Sequence, residues 1–465
     1  MAHTDTNVQN NTAAPSTASE ITQDLVAKNP GFTSGSKKVL LVLSVLFLIG
    51  VITFVLRAID VGFEDRSQWG YYAAVFAFLF TACSSAPMLA LVPRLTKASW
   101  GKPMHRAAEL FAVVGLFNFI IFIPMLFMLP SGSGRFTMWF VDGWKMGWPP
   151  GAPHTWDMLG LLGLALTGIA LLYVSSLPDF AVMRDHSTGF RHKLYSRLAS
   201  NFHGSKKQWF FIQNRVGVLG AFYFMMLIFT HYLISVDFSM SLVPGWKDAI
   251  YPAFHALQGL QCAVAMTLLG MFLLRQFGGL KNYIGLDQFW GPAKLLLASS
   301  LLWFYFWWSG FIVYWYGRTP AEQDVLSFIM FESYKTPFFI AFVLCFVVPL
   351  TMLIWNRIRK SILGPTLIGL SVLIGTFFHR ISVYVSAFST KDVSAHSLGG
   401  VPPAILPNIG DVLMIIGTIA GAAAMYLIAS KIFPTVSIWE VKENLLYRRE
   451  STFKRVKVLI LGKPE

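Results

Sequence analysis

Uncharged apolar runs close to the ~20 residues that a helix needs to cross a bilayer recur along this chain, each bounded by basic, proline-rich or glycine-rich punctuation. They predict ten spans, near 39–56, 70–92, 107–129, 158–177, 216–235, 252–274, 295–316, 337–355, 362–379 and 409–430. No other feature narrows the fold as far, because a segment in lipid must satisfy its own backbone hydrogen bonds, and a helix does so. Composition agrees: hydrophobic residues make up 55% and charged residues 13%. The expectation is an all-α integral membrane protein.

Around these spans the chain divides into a polar tail at 1–36, a membrane domain at 37–434 and a basic segment at 435–465. The tail lacks a basic start followed by an apolar core and a small-residue cleavage site, so it reads as a flexible tail and not as a removed signal peptide. Ten is even, which puts both termini on one side. That side collects 28 of the 37 lysines and arginines, and positive residues favour the cytoplasm. Both termini are therefore expected inside. The formal charge of +14 follows from this topology and from attraction to an anionic inner leaflet, so no nucleic-acid partner is needed to explain it. Cys83, Cys262 and Cys345 each sit alone in an apolar span, with no cluster-binding or haem-attachment spacing.

Ionisable groups in or beside apolar spans are costly unless paired or solvated, which makes their positions the best functional pointer. On the predicted topology His154 and Asp157 open the fourth span from the outer side, His231 and Asp237 close the fifth, His255 opens the sixth, His379 and Arg380 close the ninth and Asp411 opens the tenth. Imidazoles and carboxylates exchange protons near neutral pH, and a site that oxidises a quinol needs such bases beside an apolar slot. His154, Asp157, His231, Asp237 and His255 are the candidate quinol-binding and proton-accepting residues. Plainer uses stay open: Asp237 and Asp248 as loop caps or partners of Lys247, His231 as a core histidine, and the aromatic run "WFYFWWSGFIVYWYG" at 303–317 as an interfacial belt. Glu109, Asp179 and Lys294 lie at inner ends and are candidates for a proton path, with snorkelling or loop pairing as the alternative for Glu109 and Lys294.

Four segments carry a resemblance: "LLYVSSLPDFAVMRD" at 171–185, "ISVDFSMSLVPGWKDAIYPAF" at 234–254, "VYWYGRTPAE" at 313–322 and "FPTVSIWEVKE" at 433–443. They resemble the NrfD-like membrane subunits, which include the polysulfide reductase membrane subunit and the ActC and ActF subunits of alternative complex III. "WGKPMHRAAELF" at 100–111 is similar to the ActC segment after its second helix. The resemblance implies two four-helix bundles, spans two to five and six to nine, flanked by the first and last helices. It implies a subunit of a bacterial inner membrane without a redox centre of its own, neither haem nor iron–sulfur cluster. Such a subunit oxidises menaquinol or ubiquinol near the outer face and passes electrons to an iron–sulfur partner, with cytochrome c subunits and a paralogous membrane subunit alongside. It carries the family's "WD" onto Trp156 and Asp157, its fifth-helix His onto His231 and its "S-x-D" onto Ser235 and Asp237. The chain departs from the pattern at two places. "PMLFMLPSGSG" at 124–134 lacks the third-helix His, and the seventh-helix acid falls near Gly310. Either other bases such as His154 or His255 serve, or the chain is a structural anchor that touches no quinone. A secondary transporter is the third reading; ionisable groups crowding the span ends and the expectation that no helix is broken near the midplane count against it. P-loop, zinc-protease and nucleophile-elbow motifs are absent, which excludes nucleotide and hydrolytic chemistry of those kinds.

Overall fold

The structure is a computed structural model describing residues 17–96, 101–129, 154–393, 395–446, 448–453 and 456–461, without the side chains of residues 95, 154 and 446 onward. Among the described residues ten helices are long and apolar enough to cross a membrane: Ser34–Asp60, Arg66–Arg94, Lys102–Leu126, Thr155–Asp185, Lys206–Leu242, Tyr251–Phe277, Asp287–Gly317, Lys335–Leu353, Leu363–Ser389 and Ile409–Ile432. Each overlaps one predicted run, and they are called here the first to tenth spans. The chain is a multi-pass membrane protein.

The starts of these helices are written locally. Ser205 Oγ accepts the Gln208 N–H and Gln208 returns a bond to the Ser205 N–H, a capping box that opens the fifth span. Asn408 and Asp411 do the same for the tenth. The second span packs on the third, sixth and ninth, and the sixth packs also on the fifth and seventh, so these two occupy the centre. The third meets the fourth, the fourth the fifth, and the eighth meets both the seventh and the ninth. The first span stands at the edge against the tenth. Gly50 is its only buried residue, and a Cβ there would come within 2.8 Å of the Gly417 Cα, so the two backbones touch. Arg57 hooks the same pair by donating to Asp411 Oδ1 at 2.5 Å and to Asn408 Oδ1 at 2.8 Å.

Several expectations need correction. Within the tail expected to be flexible, Ala18–Ala27 is a helix with a Thr17/Glu20 capping box, and its Ile21 and Leu25 are buried. It packs on Ile438–Leu446, a helix inside the expected basic segment, so both ends of the chain meet at one end of the array, the terminal end. Residues 1–16 of that tail lie outside the described residues. A two-stranded antiparallel hairpin, Arg448–Phe453 with Val456–Leu461, follows the last helix, so the helical rule holds for the membrane part alone. Two spans are interrupted: the third at Leu110 alone, between Lys102–Glu109 and Phe111–Leu126, and the second more widely, into Gly70–Cys83 and Met88–Leu95 around the turn at 84–87. Pro87 has no N–H to continue the ladder, and Asn118 compensates by donating to the Leu79 carbonyl and, at 2.8 Å, to Ser84 Oγ.

Candidate functional site

The break in the second span is what exposes Ser85. Its Oγ lies 3.1 Å from His231 Nε2, His231 Nδ1 lies 2.7 Å from His255 Nδ1, and His255 Nε2 lies 3.0 Å from the Tyr384 hydroxyl. All four residues are buried. Gly259 makes the close approach possible, since a Cβ there would stand 2.7 Å from both His231 Nε2 and Ser85 Oγ. Tyr384 reaches inward from a π turn, Ile381–Val385, which shifts the facing of the ninth span just after His379 and Arg380. The chain of bonds has two self-consistent polarities with neutral imidazoles. Either Tyr384 donates to His255, His255 to His231 and His231 to Ser85, or every donor and acceptor is reversed. Switching between them moves a proton's worth of charge along the row, so the row can act as a proton wire.

Beside the wire, toward the far end of the array, a recess opens among the sixth, seventh and ninth spans and the segment that precedes the eighth. Its walls are Tyr251, Phe254, Phe306, Trp307 and Phe311 with Val325, Leu326, Ile329 and Met330, and its polar groups come from Asp248, Tyr314 and His379. Its enclosed part holds about 40 Å³, and the rest of the recess is open to the surroundings. Tyr251 joins recess to wire: its ring lies edge-on to His255, centroids 6.1 Å apart, and its hydroxyl is 3.0 Å from Ser239 Oγ. Among the described residues no hydrogen bond of normal geometry reaches the Tyr314 hydroxyl, Trp307 Nε1 or His379 Nδ1. Asp248 Oδ1 accepts the Ile250 and Tyr251 N–H groups at 2.8 and 3.0 Å, capping the sixth span as expected. Its Oδ2 faces Gly310, 3.4 Å from where a Cβ would stand. A carboxylate thus stands beside the position where the resemblance puts an acid on the seventh helix, and the loop supplies it. Burial pushes the Asp248 carboxyl above the ordinary aspartate value, against the opposing pull of those N–H groups and the Trp246 indole.

Two more buried residues lie by the wire with unmatched polar atoms. Among the described residues no nitrogen of the Arg380 guanidinium finds a hydrogen-bond acceptor, and neither polar atom of Gln258, one turn along from His255, finds a hydrogen-bond partner. Arg380 lies within electrostatic reach of His231, His255, His379 and Tyr384. Groups of this kind cost several kcal/mol in an apolar interior and mark functional ground. Asp157 and Asp237 are fully buried at the ends of the fourth and fifth spans and do not line the recess. The side chain of His154 and the segment 130–134 lie outside the described residues.

At the terminal end the structure joins two of the three expected proton-path residues. Arg106 Nη2 donates to Asp179 Oδ2 at 2.9 Å, and Ser175 Oγ donates to Glu109 Oε2 at 2.8 Å. Arg94 pairs with Glu109 and, through Nε at 3.0 Å, with Glu440 Oε1, which His105 Nδ1 also meets at 3.0 Å. Asp179 Oδ1 accepts the Ile438 and Trp439 N–H groups, capping the C-terminal helix. Burial alone would raise the Glu440 carboxyl, but Arg94 and His105 outweigh it and hold the group well below the ordinary glutamate range. This closed set of charges fastens the C-terminal helix to the second, third and fourth spans. Lys294 is no part of it: its side chain is exposed, with the ammonium over the Trp290 ring.

Of the candidates, then, His231 and His255 are brought together, and Asp157 and Asp237 are buried nearby on the same flank. Sequence reasoning passed over Ser85 and Tyr384, and took Trp307 and Tyr314 only as members of the aromatic run at 303–317, a slot for a ring or an interfacial belt. The "SSAP" turn at 84–87 signals the first; the others are hidden in aromatic-rich runs. No protein-family model matches this chain, and no curated protein matches it.

Proposed function

We propose that this chain is the quinone-binding membrane subunit of a respiratory electron-transfer complex, oxidising quinol near the outer face. The observation that carries the reading is the recess: aromatic walls around a small opening, with a carboxylate, an imidazole, a phenol and an indole N–H as its polar groups. A quinol gives up two electrons and two protons. Asp248 is placed to take one proton and His379 Nδ1 the other, while Trp307 and Tyr314 are placed to orient the ring oxygens. The wire behind Tyr251 carries a proton away from the recess and toward Ser85. The two electrons leave to an iron–sulfur partner docked at the far end, with cytochrome c subunits beyond it.

The rest of the reading follows the resemblance. The packing of the second to fifth and of the sixth to ninth spans is consistent with two four-helix bundles, and the hook between first and tenth with a flanking pair. The basic excess at the terminal end supports cytoplasmic termini in a bacterial inner membrane. In this account the recess lies in the second bundle, while His231, Asp157 and Asp237 belong to the first.

The test is quinol turnover in the intact complex. Asp248→Asn and His379→Ala should each lower it at least tenfold, with assembly unchanged. Unchanged turnover in both would overturn the assignment. A quinol analogue that shows no saturable binding to the purified chain would leave the structural-anchor role in its place.

A further inference from the structure

A second site stands at the opposite end of the molecule and owes nothing to the recess. Lys294 Nζ lies 3.7 Å from the centroid of the Trp290 ring, and Lys360 Nζ lies 4.9 Å from it. The two lysines come from different elements. Lys294 is on the second turn of the seventh span, and Lys360 follows the short helix Asn356–Arg359 that joins the eighth and ninth. That helix packs against both the seventh and the ninth spans, so the meeting of the lysines is built by the fold.

Each ammonium is attracted by the indole, but the indole carries no charge to offset them. Their separation cannot exceed the two distances together, and neither lysine forms an ion pair with a carboxylate among the described residues. Arg359 adds a third positive charge beside Lys360. Its Nη2 donates to Asn356 Oδ1 at 2.7 Å, and its Nε has no acceptor. Two lysines from two elements over one aromatic ring at a span end, with Arg359 next to one of them in the chain, are complementary to an anion with several oxygens.

The surrounding surface chooses among such anions. Ile354 and Trp355 just before the basic helix, and Leu363 just after it, are 54%, 64% and 58% exposed. A soluble phosphate would meet the charges and leave this apolar surface bare. A phosphate that carries acyl chains covers both at once. We propose that Trp290, Lys294, Arg359 and Lys360 bind the headgroup phosphate of an anionic phospholipid, with its chains along Ile354, Trp355 and Leu363.

The experiment is lipid retention by the full chain, purified with its partners and measured by native mass spectrometry. Cardiolipin and phosphatidylglycerol are offered in competition with phosphatidylcholine. The wild type should hold the anionic lipids preferentially, and Lys294→Gln with Lys360→Gln should weaken that retention roughly thirty-fold, about fivefold per lysine. Lys294→Arg with Lys360→Arg should retain it. If the glutamine variant fails to fold, the wild type still decides: its preference must fall as salt rises. Equal retention of anionic and neutral lipid, or a preference indifferent to salt or to loss of both lysines, overturns the proposal. Displacement of cardiolipin by millimolar inorganic phosphate also overturns it, because the site would then take free phosphate.

Discussion

Gly310→Ala separates the proposed chemistry from the stability of the fold. Gly310 lies inside the seventh span and on the wall of the recess, and an added Cβ meets only Asp248 Oδ2, at 3.4 Å. That is ordinary contact, so nothing has to move in the protein alone. Replacing a helix-interior glycine with alanine favours the helix by about 1 kcal/mol, so the melting temperature should hold or rise slightly. The methyl group, however, projects into the space a ring would use. Overfilling a packed site by one such group costs typically about 1–3 kcal/mol, which corresponds to a rise in quinol KM of roughly fivefold to a hundredfold. Gly310→Leu should go further and abolish saturation. The assay is quinol turnover against substrate concentration in the intact complex, with thermal unfolding measured on the same preparations. An alanine variant that melts normally and keeps its KM would refute the recess as the ring site. A loss of stability without a change in KM would refute the steric reasoning.

Three further outcomes are expected. Tyr384→Phe removes one terminus of the wire without removing a ring, so quinol binding should persist while turnover falls about tenfold or more and its solvent isotope effect changes; an unchanged isotope effect would show that the wire carries no proton in the slow step. Because Asp248 is raised above the ordinary aspartate value, it takes up a proton on folding, so its contribution to stability is full at acidic pH and is lost as pH rises through the raised value. The same shift puts the acidic limb of the turnover profile above the ordinary aspartate range, and Asp248→Asn should remove that limb. Asp179→Asn removes the nearer counter-charge of the buried Arg106 and leaves Glu109 Oε2 at 3.7 Å, so the cost should fall short of the ~3–5 kcal/mol of a fully broken buried pair, and limited proteolysis should then cut after the tenth span; a resistant C-terminal helix would count against the clasp.

The spans were legible because each is an uninterrupted apolar run, and their ends because Ser205, Gln208, Asn408 and Asp411 spell out caps in order. The helix at 18–27 was equally legible in principle, since Thr17 and Glu20 have capping-box spacing; the polarity of the surrounding tail concealed it. Individual histidines could be picked out, but the bond between His231 and His255 depends on how the fifth and sixth spans align, which the absence of a side chain at Gly259 decides. Glu109 and Lys294 looked alike by depth, yet one faces Arg94 and the other the outside, because a long basic side chain escapes hydrocarbon by bending toward the boundary. The recess escaped notice since the aromatic run of the seventh span has the composition of an interfacial belt, and a π turn leaves no mark on periodicity.

The contact between the first and tenth spans bears on how the molecule is made. The first span is lightly held by its near neighbours, with Phe54 on Trp69 and Tyr72 and Arg57 on the Gln68 carbonyl, while the hook from Arg57 to Asp411 spans 354 residues. Assembly therefore includes a closing step: the first span is held by a few ring contacts and the Arg57–Gln68 bond until the tenth arrives to fasten it. A chain stopped short of the tenth span would keep its centre and lose its rim. For a cell, that makes the Gly50–Gly417 contact a natural point at which quality control can tell finished chains from unfinished ones.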